Sequence, residues 1–249
     1  METLADLLEL ARQYDEEQLP PAAAMPEAPS GPEIASWIDH TLLKPEATAE
    51  QIKTLCQEAR QYRFASVCIN PAYVPLAAGL LAGSPVMVCT VVGFPLGADI
   101  QTQKVLEALA CINAGAVEID MVQNIGALKG QAYGQVLNEI QAVAQIAHNQ
   151  RAIVKVILET ALLTRREKII ACLICKAAGA DFVKTSTGFG PGGATLEDVE
   201  LMHRVVGPEV KVKAAGGIRT LEDTRAMIKA GASRIGASAG VKIVQEAQS

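Results

Sequence analysis

The sequence lacks any unbroken apolar run close to the roughly twenty residues that a membrane-spanning helix requires. It also lacks an excess of basic residues, because 22 Lys and Arg face 27 Asp and Glu for a formal net charge of -5. Acidic Glu2 and Asp6 stand where a secretory signal would be basic. We therefore expect no membrane span, no nucleic-acid partner and a cytoplasmic location, and an anionic substrate would need a local binding cluster.

Signals for a metal or a redox cofactor are also sparse. The three histidines, His40, His148 and His203, are scattered without ligand spacing, and we expect them to be packing or surface residues. Six cysteines lie in apolar patterns and are expected to be reduced. Cys172 and Cys175 form C-x-x-C inside a helical pattern without a second ligand pair, which favours core packing over redox or zinc chemistry. The sequence predicts no cofactor and no metal.

Residues 1–33 differ in composition from the rest of the chain. Apolar residues that include Leu7 and Ala11 recur at helical spacing, and residues 20–32 are too rich in proline to hold a helix. We expect a helical segment and a Pro/Ala-rich linker in front of a domain that spans residues 34–249. The segment is either a docking helix at a subunit contact or a mobile tail, and the composition slightly favours the tail.

From residue 34 onward, an apolar strand-like run followed by a helical pattern recurs eight times. The predicted strands are Trp37–Leu42, Phe64–Asn70, Val86–Phe94, Ala116–Val122, Ile153–Glu159, Phe182–Thr187, Val210–Ala215 and Ser233–Ala237. The predicted helices are Thr48–Arg60, Pro71–Leu81, Gln101–Ala114, Gly134–Ala147, Thr164–Ala178, Leu196–Val206, Leu221–Ala230 and Gly240–Gln248.

This repeat predicts an α/β fold, the (β/α)8 TIM barrel, because roughly 216 residues suffice for eight such units. A doubly wound open sheet is the alternative. It would need a G-x-G-x-x-G turn after the first strand, and residues 39–45 contain no glycine.

Ionisable or polar residues interrupt several of the apolar strands. They are Asp39, Cys68, Asn70, Asp120, Lys155, Glu159, Lys184, Lys211 and Lys213. All but Lys155 and Lys211 lie toward the C-terminal ends of their strands, where a barrel builds its functional face. One such residue is equally consistent with a salt bridge across the barrel mouth, but several costly charges at one end indicate a site.

Two lysines and an aspartate at the barrel mouth indicate carbonyl chemistry. A lysine attacks a carbonyl only as the neutral amine, and a nearby second ammonium together with partial desolvation favours that form. The resulting iminium is an electron sink. An aspartate placed close by, with a water, can move the protons that leave and return.

Seven motifs in a fixed order make the chain resemble the deoxyribose-phosphate aldolase family, whose members use a lysine Schiff base. The motifs span residues 38–45, 67–71, 92–97, 117–122, 155–160, 181–190 and 211–218. The resemblance covers nearly the whole chain after residue 33. It implies reversible cleavage of 2-deoxy-D-ribose 5-phosphate to acetaldehyde and D-glyceraldehyde 3-phosphate during deoxynucleoside breakdown, without a cofactor and in a homo-oligomer, dimer or tetramer.

The resemblance also implies the role of individual residues. Lys184 corresponds to the Schiff-base lysine, Lys213 to the lysine that tunes it, and Asp120 to the proton-transfer residue. Further residues are expected to bind the substrate or to support those three: Asp39, Cys68, Lys155, Gly188, Gly216, Gly217, Gly236 and Ser238.

The phosphate is expected at the loops after strands seven and eight. Gly216 and Gly217 allow close backbone approach, and Ser238 precedes a helix whose free N–H groups suit an anion. Two positions depart from the family pattern, since some relatives have a lysine at the position of Phe189 and a second serine at that of Ala239. The sequence therefore predicts that one phosphate contact is missing.

Two other functions are consistent with a barrel of this kind. One is a phosphosugar isomerase or synthase that works without a covalent intermediate, and the other is a sensor that binds a phosphorylated ligand. The pair of lysines with Asp120 favours the aldolase over the first, and the presence of all three argues against the second.

Overall fold

The computed structural model describes residues 3–16, 18–24 and 27–248. Eight parallel strands close into a barrel in sequence order, each hydrogen-bonded to the next and the last to the first. The strands are β1 (Ile38–Leu42), β2 (Ser66–Ile69), β3 (Met87–Val92), β4 (Glu118–Val122), β5 (Ile153–Ile157), β6 (Phe182–Lys184), β7 (Lys211–Ala215) and β8 (Arg234–Ala237). The predicted (β/α)8 barrel is therefore confirmed.

Helices alternate with the strands and surround the barrel. They are α1 (Leu4–Glu16), α2 (Ala49–Tyr62), α3 (Val74–Leu81), α4 (Gln101–Asn113), α5 (Ile125–Lys129), α6 (Tyr133–Asn149), α7 (Arg165–Ala177), α8 (Leu196–Val206), α9 (Leu221–Ala230) and α10 (Gly240–Glu246). Short 3-10 helices span Gly31–Trp37, Pro71–Tyr73 and Thr160–Leu162. None of the described helices combines the length and apolar content that crossing a membrane requires.

Local sequence signals set the ends of several helices. The side chains of Thr48, Thr195 and Thr220 each accept a hydrogen bond from a backbone N–H in the first turn, as the sequence predicts. At the other end, Gly179 follows α7 with a φ of 83° and turns the chain into β6. These turns bring the strands into a register in which their C-terminal ends form one face.

All eight observed strands are one to three residues shorter than predicted, and two differences from the sequence-based expectation stand out. Strand β6 ends at Lys184, whereas the apolar run predicts a strand to Thr187, because the chain turns away beyond Lys184 to form a cavity wall. The short helix α5 was not predicted, since its five residues are too few for a periodic signal.

The described part of the N-terminal segment packs on the barrel and is not the mobile tail that the composition favours. Leu7 and Ala11 of α1 are buried in the main core, and α1 lies against α7. Arg204 of α8 donates hydrogen bonds to the carbonyls of Leu19 and Pro20. The segment thus covers outer helices of its own chain, while the domain division at residue 33 stays a prediction. Glu2, Met25, Pro26 and Ser249, which belong to the predicted segments, lie outside the described residues.

The apolar core lies between the strands and the surrounding helices. The interior of the barrel is different, because inward-pointing positions of β1, β4, β5, β6, β7 and β8 carry charged side chains. A barrel of this kind is ordinarily filled by branched aliphatic residues. The charged interior is therefore the feature that positions the site.

Candidate active site

Lys184 is the last residue of β6 and points into the barrel mouth. Its side chain is 3% exposed, and its Nζ lies 2.7 Å from Oδ2 of Asp120 on β4. The same oxygen lies 2.7 Å from Nζ of Lys213 on β7, the strand paired with β6. The three residues to which the sequence assigns the chemistry are thus brought together by three strands.

A second layer of charges lies beneath this triad. Nζ of Lys155 is 2.8 Å from Oδ1 of Asp120 and 2.6 Å from Oε2 of Glu118. Nζ of Lys213 is 2.5 Å from Oδ2 of Asp39.

Arg234 closes the arrangement at the barrel floor, where its Nη1 lies 2.6 Å from Asp39 and 3.2 Å from Glu118. We refer to Asp39, Glu118, Asp120, Lys155, Lys184, Lys213 and Arg234 as the ionic cluster.

The ionic cluster contains four cations and three carboxylates, so it carries one positive charge more than it can pair. Lys155 has three carboxylate neighbours, and Lys213 and Arg234 have two each. Lys184 has one, Asp120. Lys184 is therefore the cation of the cluster with the least opposing charge.

The pKa directions within the cluster agree with strong pairing. Burial alone would raise the pKa of the Asp120 carboxyl, but the charges of Lys155, Lys184 and Lys213 hold it well below its ordinary value. Burial alone would lower the pKa of Lys213, but Asp120 and Asp39 hold it above its ordinary value. Asp120 therefore stays ionised and Lys213 stays cationic throughout the physiological range.

A cavity of about 370 Å³ opens above the cluster at the C-terminal ends of the strands. Of the lysines in the cluster, Lys184 is the one that lines it. The other described lining residues are Thr41, Leu42, Leu43, Lys44, Thr187, Gly188, Phe189, Ala215, Gly216, Gly217, Ile218, Arg219, Gly236, Ala237 and Ser238. A larger groove of about 540 Å³ runs beside Trp37 and Tyr62, away from the ionic cluster, so volume alone does not identify the site.

The glycine-rich loops lie where the sequence predicts them. Gly188, Gly216, Gly217, Gly236 and Ser238 all line the cavity. Gly216 has a φ of 91°, and a Cβ built on it would come within 2.9 Å of the backbone at Gly193, so this turn requires glycine. Their contact with a phosphate stays a prediction.

Asp39, Cys68 and Lys155, expected either to bind the substrate or to support the three central residues, do not line the cavity among the described residues. Each is fully buried beneath Lys184, because its strand position places it nearer the barrel floor. Their contacts with Asp120 or Lys213 fit the expected supporting role.

Several residues of the site were missed by sequence reasoning. Glu118 and Arg234 belong to the ionic cluster, and the alternation of β4 and β8 could have found them because they lie two residues before Asp120 and Gly236. Lys44 and Arg219 add cationic side chains to the cavity lining. They lie in loops, where periodicity carries no signal.

Two cysteines also meet the cluster. Cys89 donates a hydrogen bond to Asp120 at 3.2 Å, and Cys68 lies 4.0 Å from the same carboxylate. Cys68, Cys89 and Asp120 offer metal-ligand atoms within 4.8 Å of one another. Lysine ammonium groups already contact both oxygens of Asp120, so a metal ion would have to displace them.

The histidines and the C-x-x-C pair do not belong to the ionic cluster. His40 contacts Glu58 and stacks on Phe64, and His148 contacts Asp181. Cys172 and Cys175 are free thiols in the core on α7. The core position of Cys172 and Cys175 confirms the predicted packing role of the C-x-x-C pair.

Known aldolases resemble this chain in sequence and in fold. Residues 34–246 match the family model described as DeoC/LacD family aldolase. The deoxyribose-phosphate aldolase of Caldanaerobacter subterraneus subsp. tengcongensis is 62% identical over 214 residues, which are 86% of this chain and 93% of the relative.

Two solved structures resemble almost the whole chain. A deoxyribose-phosphate aldolase from Coccidioides immitis has a TM-score of 0.91 at 46% identity, covering 98% of both chains. The deoxyribose phosphate aldolase from Aeropyrum pernix, described as a unique tetrameric structure, has a TM-score of 0.82 at 33% identity and covers 98% of this chain and 97% of that one. With a closed barrel, a lysine-rich cluster at its mouth and relatives of this similarity, the chain belongs to the DeoC/LacD family of aldolases.

Proposed function

We propose that this chain is a Schiff-base aldolase that reversibly cleaves 2-deoxy-D-ribose 5-phosphate to acetaldehyde and D-glyceraldehyde 3-phosphate. The observation that carries the proposal is the position of Lys184, which reaches the cavity from a buried cluster with one surplus positive charge. The similarity to deoxyribose-phosphate aldolases supports the substrate.

Lys184 is the proposed nucleophile. Its neutral amine attacks C1 of the open-chain sugar, and loss of water from the carbinolamine gives an iminium. The C2–C3 bond then breaks as the proton leaves the C3 hydroxyl, and the bonding electrons move to C2 to form an enamine. Glyceraldehyde 3-phosphate departs, C2 takes up a proton, and water releases acetaldehyde from Lys184.

Asp120 is the candidate for the proton transfers. Its carboxylate touches both Lys184 and Lys213, so it lies beside the nitrogen where the iminium forms. Because its pKa is held well below the ordinary value, it is a weak proton acceptor in the resting state. Loss of the proton from Lys184 removes one of the charges that stabilise the carboxylate, which makes proton transfer through Asp120 easier at that stage.

The far end of the cavity is the candidate phosphate site. Gly216, Gly217 and Ser238 line the cavity, and Arg219 adds a cation that was not predicted from the sequence. Phe189 is half exposed at the rim of the same cavity, where it supplies no charge. The phosphate is therefore expected to be held by backbone N–H groups and Arg219.

We also propose a cytoplasmic location and a homo-oligomeric state, dimer or tetramer. All six cysteines are free and buried, as in proteins of reducing compartments. The tetrameric relative from Aeropyrum pernix supports assembly of more than one copy. The mass of the protein in solution, measured by light scattering, tests the second proposal.

Reduction with borohydride tests the proposed chemistry directly. The protein is incubated with acetaldehyde, reduced, digested and mapped by mass spectrometry. The expected result is one ethyl group on Lys184. Cleavage without any trapped adduct would favour an enzyme that works without a covalent intermediate, and absence of both cleavage and adduct would favour a binding protein.

A further inference from the structure

Glu159 is a buried acidic residue that the ionic cluster does not include. It follows β5, is 2% exposed and adopts the left-handed backbone conformation with φ 57° and ψ 61°. This conformation is unfavourable for a residue with a side chain. Arg63, Gln131 and Arg151 also adopt a positive φ, but Glu159 is the one of the four whose side chain is buried among the described residues.

The carboxylate of Glu159 is tied to the loop that follows Lys184. Its Oε2 accepts hydrogen bonds from the backbone N–H of Thr187, at 3.2 Å, and from the Thr187 hydroxyl. The Thr187 oxygen in turn accepts the N–H of Phe189 at 3.0 Å. One carboxylate thus organises the backbone of Thr187–Phe189.

Gly190 shows how closely the loop lies on this carboxylate. A Cβ built on Gly190 would come within 2.8 Å of both Cδ and Oε1 of Glu159. Any larger residue would push the carboxylate away or lift the loop. Gly190 lacks a left-handed φ, so a larger residue here is opposed by its close approach to the carboxylate and not by the backbone angle.

The loop that Glu159 holds is a wall of the cavity. Thr187, Gly188 and Phe189 line it together with the glycine turns after β7 and β8, whereas Glu159 does not line it among the described residues. Lys184 is held by pairing of β6 with β5 and β7 and by Asp120, and its carbonyl accepts the N–H of Leu158, the neighbour of Glu159. None of these contacts is made by the Glu159 carboxylate, so loss of that carboxylate leaves them in place.

We infer that Glu159 is a positioning residue for the phosphate-bearing half of the substrate, an inference that rests on the proposed function. Its carboxylate holds residues 187–190 in the conformation that completes the cavity. The end of the cavity where Lys184 forms the iminium does not depend on it.

The test compares two substrates, deoxyribose 5-phosphate and unphosphorylated deoxyribose. In Glu159→Gly the carboxylate is lost, while glycine accepts the left-handed backbone without strain. We expect kcat/KM for the phosphorylated sugar to fall about tenfold, as for the loss of one or two buried hydrogen bonds. The values for unphosphorylated deoxyribose, and the rate of trapping with acetaldehyde, should change less than about twofold.

Two further variants serve as matched controls. Glu159→Gln keeps an acceptor oxygen and should restore most of the preference for the phosphorylated sugar. Gly190→Ala places a methyl group against the carboxylate and should reproduce the effect of Glu159→Gly. In the double variant the two effects should not add, because both act on the same contact.

The outcomes separate this inference from the proposed function. An equal fall for both sugars in Glu159→Gly would assign Glu159 to the fold alone, and an unchanged preference would remove its role, so either result overturns the inference. If the unaltered protein cleaves neither sugar and forms no adduct with acetaldehyde, the proposed function fails instead.

Discussion

Two groups of charged residues in this chain are buried to a similar extent but differ in charge balance and in access to the cavity. The ionic cluster fills the barrel, and outside it Lys104 of α4 forms an ion pair with Glu139 of α6 at 2.7 Å, with both side chains nearly inaccessible. Lys104 also donates hydrogen bonds to the carbonyls of Gly97 and Val122. Its three donors are therefore used, and the pair has one cation for one carboxylate.

The contrast shows that burial alone does not make a lysine reactive. Burial lowers the pKa of Lys104 and raises the pKa of Glu139, but the two charges balance and the pair is closed to the cavity. The ionic cluster has a surplus cation, and Lys184 reaches the cavity. Charge imbalance together with access is what distinguishes the candidate nucleophile from the structural lysine.

Replacing Lys184 should give the largest functional effect. In Lys184→Ala we expect cleavage to fall by at least about 10⁵-fold, with no trapped adduct, because the covalent path is removed. The melting temperature should not fall, since the variant removes the surplus charge of the cluster. Cleavage assays, borohydride trapping and thermal unfolding measure these effects. Retained turnover with a label on another lysine would show that the nucleophile is wrongly assigned.

Replacing Lys104 should instead reduce the stability of the protein and leave its catalysis nearly unchanged. Lys104→Met leaves Glu139 buried without its partner, and we expect a loss of about 3–5 kcal/mol in the free energy of unfolding. The kcat of the folded protein should stay within a few-fold of the unaltered one. The control is Lys104→Met with Glu139→Leu, which removes both charges and should regain part of the stability. Urea unfolding of the three proteins gives the comparison, and a large loss of kcat without loss of stability would contradict it.

Removing the phosphate from the substrate tests whether the cavity binds that group. We expect kcat/KM for unphosphorylated deoxyribose to be about 100-fold lower than for deoxyribose 5-phosphate, because remote binding energy is lost. Arg219→Met should narrow this ratio without changing the trapping of acetaldehyde. Steady-state kinetics with both sugars test the prediction. Equal kcat/KM values would remove the phosphate site from the account.

The barrel and its central residues could be predicted from sequence because their signals are strong. Eight apolar runs alternate with helical patterns, and Lys184, Lys213 and Asp120 interrupt apolar strands where a charge needs a reason. Strand direction then places all three at one end of the barrel.

Other features could not be predicted, because they depend on contacts distant in sequence. Lys104 lies in an ordinary amphipathic helix, and its burial follows from the packing of α4 against α6. Arg219 lies in a loop after the glycine pair, and the fold alone aims it at the cavity. The sequence also does not reveal the charge count of the ionic cluster, since that depends on which strand residues point inward.

The excess of one cation in the ionic cluster is tested most directly by the pH dependence of borohydride trapping with acetaldehyde, which carries no phosphate. Lys213→Leu leaves three cations for three carboxylates, so the trapping profile should move about one pH unit to the alkaline side. Glu118→Gln removes a carboxylate and should move the profile to the acidic side. Opposite shifts in the two variants are the predicted result. Unshifted profiles, with only weaker binding of the phosphorylated sugar in Lys213→Leu, would contradict the account and leave Lys213 as a ligand contact.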